Sequence, residues 1–151
     1  MTIWTNYTQG SNSTISTGKD LHSVVLKHEI DIASLVANQN IQNADSVEIF
    51  AIPANTVLED FRAQIITNFS LGAGARLDLG DGANALAYVN NASTLTADTW
   101  LTQVSASVPV LYSAAGSLRM KVTGGTIATG KIRFVAKLAD YTRKAPTTTQ
   151  T

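Results

Sequence analysis

The feature that most constrains the fold of this chain is a series of short segments in which apolar and charged residues alternate. In residues 117–123 the apolar side chains fall on one face and the basic ones on the other, and residues 131–139 repeat the pattern. A period of two is typical of a β-strand with one buried face. We expect these two strands to pair through TGGTIATG, in which Gly124-Gly125 supplies the positive backbone angles that a reversal needs.

The same alternation predicts six further strands. They are residues 24–32, 46–52, 57–67, 75–79, 85–89 and 108–113. Residues 57–67 also fit a helical period, but the run Ile65-Ile66-Thr67 favours a strand. Residues 108–113 are expected at a sheet edge, because Pro109 cannot donate to a central ladder.

The residues that share a face can be read from two of these segments. Residues 24–32 place Leu26, His28, Ile30 and Ile32 on one face. Residues 46–52 place Val47, Ile49 and Ala51 on one face, with Glu48 and Phe50 opposite. The segment ARLDL is expected to run into a turn at Gly80-Asp81-Gly82, and Asn90-Asn91 to close the strand 85–89.

About eight short strands separated by turn signals predict an all-β fold, an antiparallel β-sandwich of jelly-roll type. The helical candidates are short, residues 33–40 and 93–101. Only three Glu occur in 151 residues, and that scarcity argues against a helical protein.

Composition excludes several function classes. There are no cysteines, so disulfides and thiolate metal sites are excluded. The 11 basic and 11 acidic side chains cancel, so we expect no nucleic-acid partner. No apolar run approaches the roughly 18 residues of a membrane helix, and the N-terminus does not resemble a signal peptide, so no membrane partner is expected.

The chain divides into three parts. Residues 1–20 are polar and without period and predict an extended N-terminal arm that leaves the domain. Residues 21–142 form the sandwich domain, and residues 143–151 a flexible C-terminal tail. Within the arm, Ile3, Trp4 and Tyr7 are large apolar groups that either pack on the domain or dock onto a neighbouring subunit.

No catalytic motif is recognisable, so no catalytic residue, cofactor or metal is assigned. His22 and His28 are six residues apart, about 20 Å along a strand, too far to share a metal. His28 is expected to be a packing residue. Asp78 and Asp81 flank a glycine turn and offer oxygens to a cation, although calcium takes six to eight ligands. In the alternative, the Asp81 side chain forms a hydrogen bond with its own backbone in the turn, and Asp78 lies on the polar face of the strand.

Several segments together resemble small virion structural proteins of tailed bacteriophages. They are HEIDIASL, NADSVEIFAIPANTVLEDFRAQIITNFS, ARLDLGDGANALAYV and the closing TGGTIATGKIRFVAKLADY, with the turn Ile52-Pro53-Ala54-Asn55-Thr56. The similarity spans roughly residues 28–141. It implies a jelly-roll-like β-sandwich on the capsid exterior that decorates or cements the shell by bridging subunits of the major capsid protein, commonly as a trimer.

On this interpretation Ile3, Trp4 and Tyr7 are candidate contacts with a neighbouring subunit or the capsid. Two other functions stay open. The chain could be a fibre head or tail component that touches the host surface, or a carbohydrate-binding module. The latter would need exposed coplanar aromatic residues, and the candidates are Trp4, Tyr7, Tyr88, Trp100, Tyr112 and Tyr141.

Overall fold

The computed structural model describes residues 3–5, 23–39, 43–93, 95–101 and 108–140. These residues form nine strands and one helix. The strands are β1 (Ile3–Thr5), β2 (Ser23–Asp31), β3 (Ser46–Ile52), β4 (Thr56–Leu71), β5 (Arg76–Asp81), β6 (Val89–Ala92), β7 (Val110–Tyr112), β8 (Gly116–Thr123) and β9 (Ile127–Asp140), and the helix is α1 (Ile32–Gln39).

The strands form two sheets that enclose one core. The first sheet has the order β1-β3-β8-β5-β6, and the second the order β2-β9-β4-β7. Strands β2 to β9 pair antiparallel from the outside of the sequence inwards: β2 with β9, β3 with β8, β4 with β7 and β5 with β6. Four successive antiparallel pairs make one two-stranded ribbon, and such a ribbon rolled up into two sheets is a jelly roll, so the predicted fold class is confirmed.

The core lies between the sheets and is rich in aromatic contacts. Phe61 on β4 stacks on Phe134 of β9 with ring centroids 6.3 Å apart, and Tyr88 meets Phe61 edge to face at 5.5 Å. The alternating residues of β8 and β9 are buried as predicted: Leu118, Met120, Val122, Ile132, Phe134, Ala136 and Leu138. Burial of these side chains is the main favourable term that holds the two sheets together.

The pairing predicted for β8 and β9 is wrong. β8 lies between β3 and β5 in the first sheet, whereas β9 lies between β2 and β4 in the second. The glycine pair does reverse the chain, with a φ of 75° at Gly124, but the reversal crosses from one sheet to the other. This crossing is fixed by the loop before β5, because the Gly72 amide donates to the Thr126 carbonyl at 2.8 Å.

The faces predicted for β3 are wrong in its second half. A β-bulge between Glu48 and Phe50 inserts one residue into the pairing with β8. Beyond a bulge the alternation restarts in the opposite sense. Phe50 is therefore buried and Ala51 exposed, while Val47 and Ile49 are buried as expected.

One of the two helical candidates is confirmed. Helix α1 covers the predicted residues 33–40 to within one residue, with Ile32 and Leu35 buried. The Asp31 carboxylate accepts a hydrogen bond from the Ser34 amide at 3.3 Å at its N-terminus.

The other helical candidate, residues 93–101, is not a helix in its described part. This segment runs beside β4, where the Leu101 amide donates to the Ala63 carbonyl at 2.9 Å. The Ile65 amide likewise donates to Thr99 at 2.8 Å, and Asp98 takes a positive φ of 64°. Hydrogen bonds to a neighbouring strand use the backbone groups that a helix would need for itself.

Two strand boundaries also differ from the prediction. The strand expected at residues 85–89 lies at Val89–Ala92, so Asn90 and Asn91 are inside it. Gly80 and Asp81 belong to β5, and the turn begins at Gly82. Residues 57–67 are a strand, and Val110–Tyr112 lies at a sheet edge, as predicted.

Part of the predicted arm lies on the domain. Ile3–Thr5 form β1, which pairs parallel with β3 at the edge of the first sheet, with Trp4 opposite Val47. These three residues therefore do not leave the body of the domain. Residues 6–22, with Tyr7 and His22, and residues 141–151 lie outside the described residues. Within the described residues, no helix is long and apolar enough to cross a membrane.

Candidate functional site

The residues predicted to contact a neighbour are not brought together as a described site. The backbones of Ile3 and Trp4 lie in β1, the outermost strand of the first sheet. Tyr7 is outside the described residues. The structure thus gives a position for two of the three at a sheet edge, where a neighbouring chain has access.

Asp78 is buried, although it belongs to the predicted polar face of its strand. Its side chain is on the outer side of the first sheet but only 1% exposed. One carboxylate oxygen accepts from the Asn91 amide at 2.6 Å and the other from the Thr123 hydroxyl at 3.0 Å. Both oxygens thus tie β5 to its neighbours β6 and β8.

The loop after β5 folds back against the outer face of the sheet at Gly80. A Cβ at Gly80 would collide with the carbonyl oxygen of Asn84 and with the backbone of Ala85. Only glycine, which has no Cβ, allows another stretch of backbone to approach this closely.

Asp81 holds that loop in place. Its Oδ1 accepts from the amides of Ala83 at 2.9 Å and Asn84 at 2.7 Å, as the sequence predicts for an aspartate that binds its own backbone. Its Oδ2 accepts from the hydroxyl of Tyr112 at 2.9 Å. Protein donors thus engage the oxygens of both aspartates, and the described residues contain no group of three His, Cys, Asp or Glu that could hold a metal.

A hydrogen-bond chain of two tyrosines links the sheets at this end. The hydroxyls of Tyr88 and Tyr112 are 2.5 Å apart. A phenol has one proton, and Tyr112 gives its proton to the Asp81 carboxylate, so Tyr88 must be the donor to Tyr112. Tyr88 precedes β6 in the first sheet and Tyr112 ends β7 in the second. The hydrogen bonds between these tyrosines and Asp81 therefore connect the two sheets at one end of the sandwich.

Both phenols are held in the neutral form. Burial raises the pKa of Tyr88, its hydrogen bond with Tyr112 offsets part of that rise, and the nearby Asp81 charge adds to it. Burial also raises the pKa of Tyr112 far above its ordinary value, followed by its hydrogen bonds to Tyr88 and Asp81. Both phenols therefore stay protonated near neutral pH and can serve as hydrogen-bond donors.

A concave pocket of about 490 Å³ opens beside Tyr112 and Asp81 on the outer face of the first sheet. Its walls combine small residues with a few polar groups: Glu48, Asp81, Gly82, Ala83, Tyr112, Ala115, Gly116, Ser117 and Arg119. We call it the Arg119 pocket. The Nε of Arg119 donates to the buried hydroxyl of Ser117 at 2.8 Å, which fixes the plane of the guanidinium.

The alternation of the sequence shows Arg119 as an outward-facing residue of β8 but does not predict the pocket. The pocket needs residues of β3, β5, β7 and β8 together. The one signal available is the concentration of small residues at 82–83 and 115–116, which leave room that longer side chains would fill.

The outer face of the second sheet is different, because it is covered by ion pairs between neighbouring strands. Glu29 on β2 lies 3.1 Å from Arg133 and 3.7 Å from Lys131, both on β9. Glu59 on β4 lies 3.2 Å from Lys137. Exposed pairs of this kind each contribute little to stability.

The other sequence candidates are scattered. His28 faces the core with its ring edge-on to Phe50, 6.4 Å between centroids, consistent with the packing role expected of it. Trp100 is half exposed beside Gln64 of β4, whereas Tyr88 is buried and Tyr112 partly so. The described aromatic residues therefore do not form the coplanar platform that a carbohydrate-binding module would need.

Comparison with known proteins identifies the fold and no family. No protein-family model matches the chain, and no curated protein matches it significantly. A chain in the solved structure "Capsid of Ralstonia phage GP4" has a TM-score of 0.64 at 14% identity, covering 91% of this chain and 97% of that one. A chain in "Cyanophage Pam1 capsid asymmetric unit" has a TM-score of 0.57 at 15% identity, covering 89% and 96%. At these identities the similarity establishes a shared fold over almost the full length of each chain.

Proposed function

We propose that this chain is a structural protein of a bacteriophage particle that decorates or cements the exterior of the capsid by bridging subunits of the major capsid protein. The observation that carries the proposal is the shared jelly roll, which extends over 91% of this chain and 97% of a chain in the capsid of Ralstonia phage GP4. The aspartates examined as candidate ligands also serve the fold, since protein donors occupy both oxygens of Asp78 and Asp81. The proposed role is therefore one of contact between surfaces, without catalysis.

Quantitative mass spectrometry of purified particles of the phage that encodes the chain tests this proposal. We expect a fixed, near-integral ratio to the major capsid protein and accessibility of the chain to antibodies on intact heads. Absence from the particle would contradict the proposal. Signal confined to the tail would favour the alternative of a fibre head or tail component.

For the self-contacts we propose a trimer in which the N-terminal segment, residues 1–20, contacts a neighbouring subunit through Ile3 and Trp4 of the edge strand β1 and through Tyr7. The position of β1 at the sheet edge supports this, because a three-residue strand exposes its far side to another chain. The sandwich of residues 21–142 then forms the body, and residues 143–151 a tail outside it.

Sedimentation velocity tests the arm. Trp4→Ala should shift the trimer towards monomer, because it removes a large apolar contact, while Thr8→Ala in the same segment should not. A monomer at high concentration in the unaltered chain would contradict the trimer. Equal association of both variants with the unaltered chain would remove Trp4 from the contact.

A further inference from the structure

The stretch of sequence from residue 82 to residue 118 is almost free of charge. Asp98 is its only charged residue, although 15% of the whole chain is charged. The loop after β5, strand β6, the segment 95–101 and strand β7 all come from this stretch. A surface built from these segments can be buried against another protein without leaving charged groups unpaired.

These segments lie together on one side of the sandwich, which we call the β6–β7 side. β6 is the outermost strand of the first sheet, and β7 is the outermost strand of the second. The hydrogen bond between the hydroxyls of Tyr88 and Tyr112 brings the start of β6 next to the end of β7. Residues 95–101 extend this side along β4, where the Leu101 amide donates to the Ala63 carbonyl.

The β6–β7 side also carries exposed apolar side chains. Of the large hydrophobic side chains that the structure describes, four are exposed, and three of these lie here: Leu86 at 41%, Trp100 at 50% and Leu111 at 50%. The fourth, Val25, lies on β2 at the opposite edge of the second sheet. Depletion of charge around exposed aromatic and aliphatic side chains is typical of the centre of a protein–protein interface.

The opposite side of the sandwich holds the N-terminal strand. β1 is outermost in the first sheet and β2 in the second, and the ring contact between His28 and Phe50 joins β2 to β3 on this side. A cyclic assembly uses two different surfaces of each copy, because one surface binds the next copy and the other binds the previous one. Residues 1–18, which include Ile3 and Trp4, contain no Asp, Glu, Lys or Arg. The two sides of the sandwich therefore offer two different surfaces, both without charge mismatch.

We propose that the β6–β7 side is the surface on which the N-terminal segment of a neighbouring copy docks, in a head-to-tail ring. This inference rests on the proposed trimer and deepens it, since a closed ring needs a receiving surface distinct from the N-terminal segment. Leu111 is a suitable probe of that surface. It lies on β7 opposite the half-buried Val57 of β4, so a side chain docked there covers apolar surface of two strands.

Sedimentation velocity of Leu111→Lys tests the receiving surface. The substitution puts a charge into the contact, so the trimer should dissociate towards monomer. Half of the Leu111 side chain is exposed in the single chain, so the midpoint of urea denaturation should stay close to that of the unaltered chain. Val25→Lys is the matched control, because it alters an equally exposed apolar side chain away from the β6–β7 side, and it should leave the trimer intact.

Thiol cross-linking tests the head-to-tail arrangement, because the chain has no cysteine of its own. With a bismaleimide, the double variant Ile3→Cys/Leu111→Cys should give covalent trimers in denaturing electrophoresis. Each single variant should stay monomeric, because its thiols lie at different contacts of the ring. Cross-linking of Ile3→Cys alone would show that two N-terminal segments meet each other, and it would overturn the inference. So would a double variant that sediments as a trimer but gives no covalent product.

The outcomes separate this inference from the proposal on which it rests. A monomeric unaltered chain would contradict the trimer and the receiving surface together. A trimer that Trp4→Ala dissociates and Leu111→Lys does not would contradict the receiving surface alone. A Leu111→Lys trimer that no longer binds particles lacking the chain would assign the β6–β7 side to the capsid shell, and the inference would be wrong.

Discussion

At the scale of single residues, the pairing of Tyr88, Tyr112 and Asp81 accounts for the closure of one end of the sandwich. Tyr112→Phe removes the hydroxyl that lies between Tyr88 and Asp81. The Tyr88 hydroxyl then has no acceptor here, and Asp81 Oδ2 loses its donor. We expect a loss of about 1–3 kcal/mol in the free energy of unfolding, measured by urea denaturation.

Tyr88→Phe is the matched control, because it removes only the terminal donor of this hydrogen-bond chain and leaves the hydrogen bond from Tyr112 to Asp81 intact. Its cost should be smaller, about 0.5–1.5 kcal/mol. A larger loss for Tyr88→Phe than for Tyr112→Phe would show that the direction of donation assigned above is wrong.

The same pair predicts a dependence of stability on alkaline pH. Both folded pKa values are raised above the ordinary value of 10.0, chiefly by burial. A raised pKa in the folded state contributes stability that is fully present below the unfolded pKa and is lost as the pH rises above it. The free energy of unfolding should therefore fall above about pH 10, by up to about 1.4 kcal/mol per pH unit for each phenol.

Urea denaturation between pH 8 and 11 measures this dependence. Tyr112→Phe should show a shallower fall than the unaltered chain, because one of the two titrating groups is gone. Parallel curves for the two proteins would mean that other groups, and not these phenols, govern alkaline stability.

At the scale of elements, period-two alternation located β2, β4, β8 and β9 because each has one face in the core and one in solvent. The alternation does not predict burial correctly where an outward side chain is buried by neighbouring strands or where a bulge interrupts the strand. Asp78 is an outward residue that is buried through its hydrogen bonds to β6 and β8, and Phe50 is shifted inward by the bulge of β3. Alternation also reports which way a side chain faces and not which strand lies next to it, so β8 and β9 were assigned to each other across two sheets.

The bulge in β3 gives a direct prediction. Phe50→Ala should cost about 3–5 kcal/mol of unfolding free energy, because it empties a buried site that contacts Phe61. Ala51→Ser, on the exposed side, should change stability by no more than about 0.5 kcal/mol. Chemical denaturation of both variants decides the register: a large cost at Ala51 and a small one at Phe50 would restore the unbulged strand.

At the scale of the whole molecule, the jelly roll followed from the number of strands and their turns, but its surfaces did not. The Arg119 pocket gathers residues from four strands, and no local pattern marks which of them will meet. The outer face of the second sheet carries ion pairs between neighbouring strands, and the outer face of the first sheet carries the Arg119 pocket.

Cryo-electron microscopy of the intact particle tests this account most directly. A reconstruction of the head should show density for a β-sandwich of this size on the outside of the shell, in contact with more than one major capsid protein subunit. A reconstructed head whose outer surface carries no such density would contradict the account.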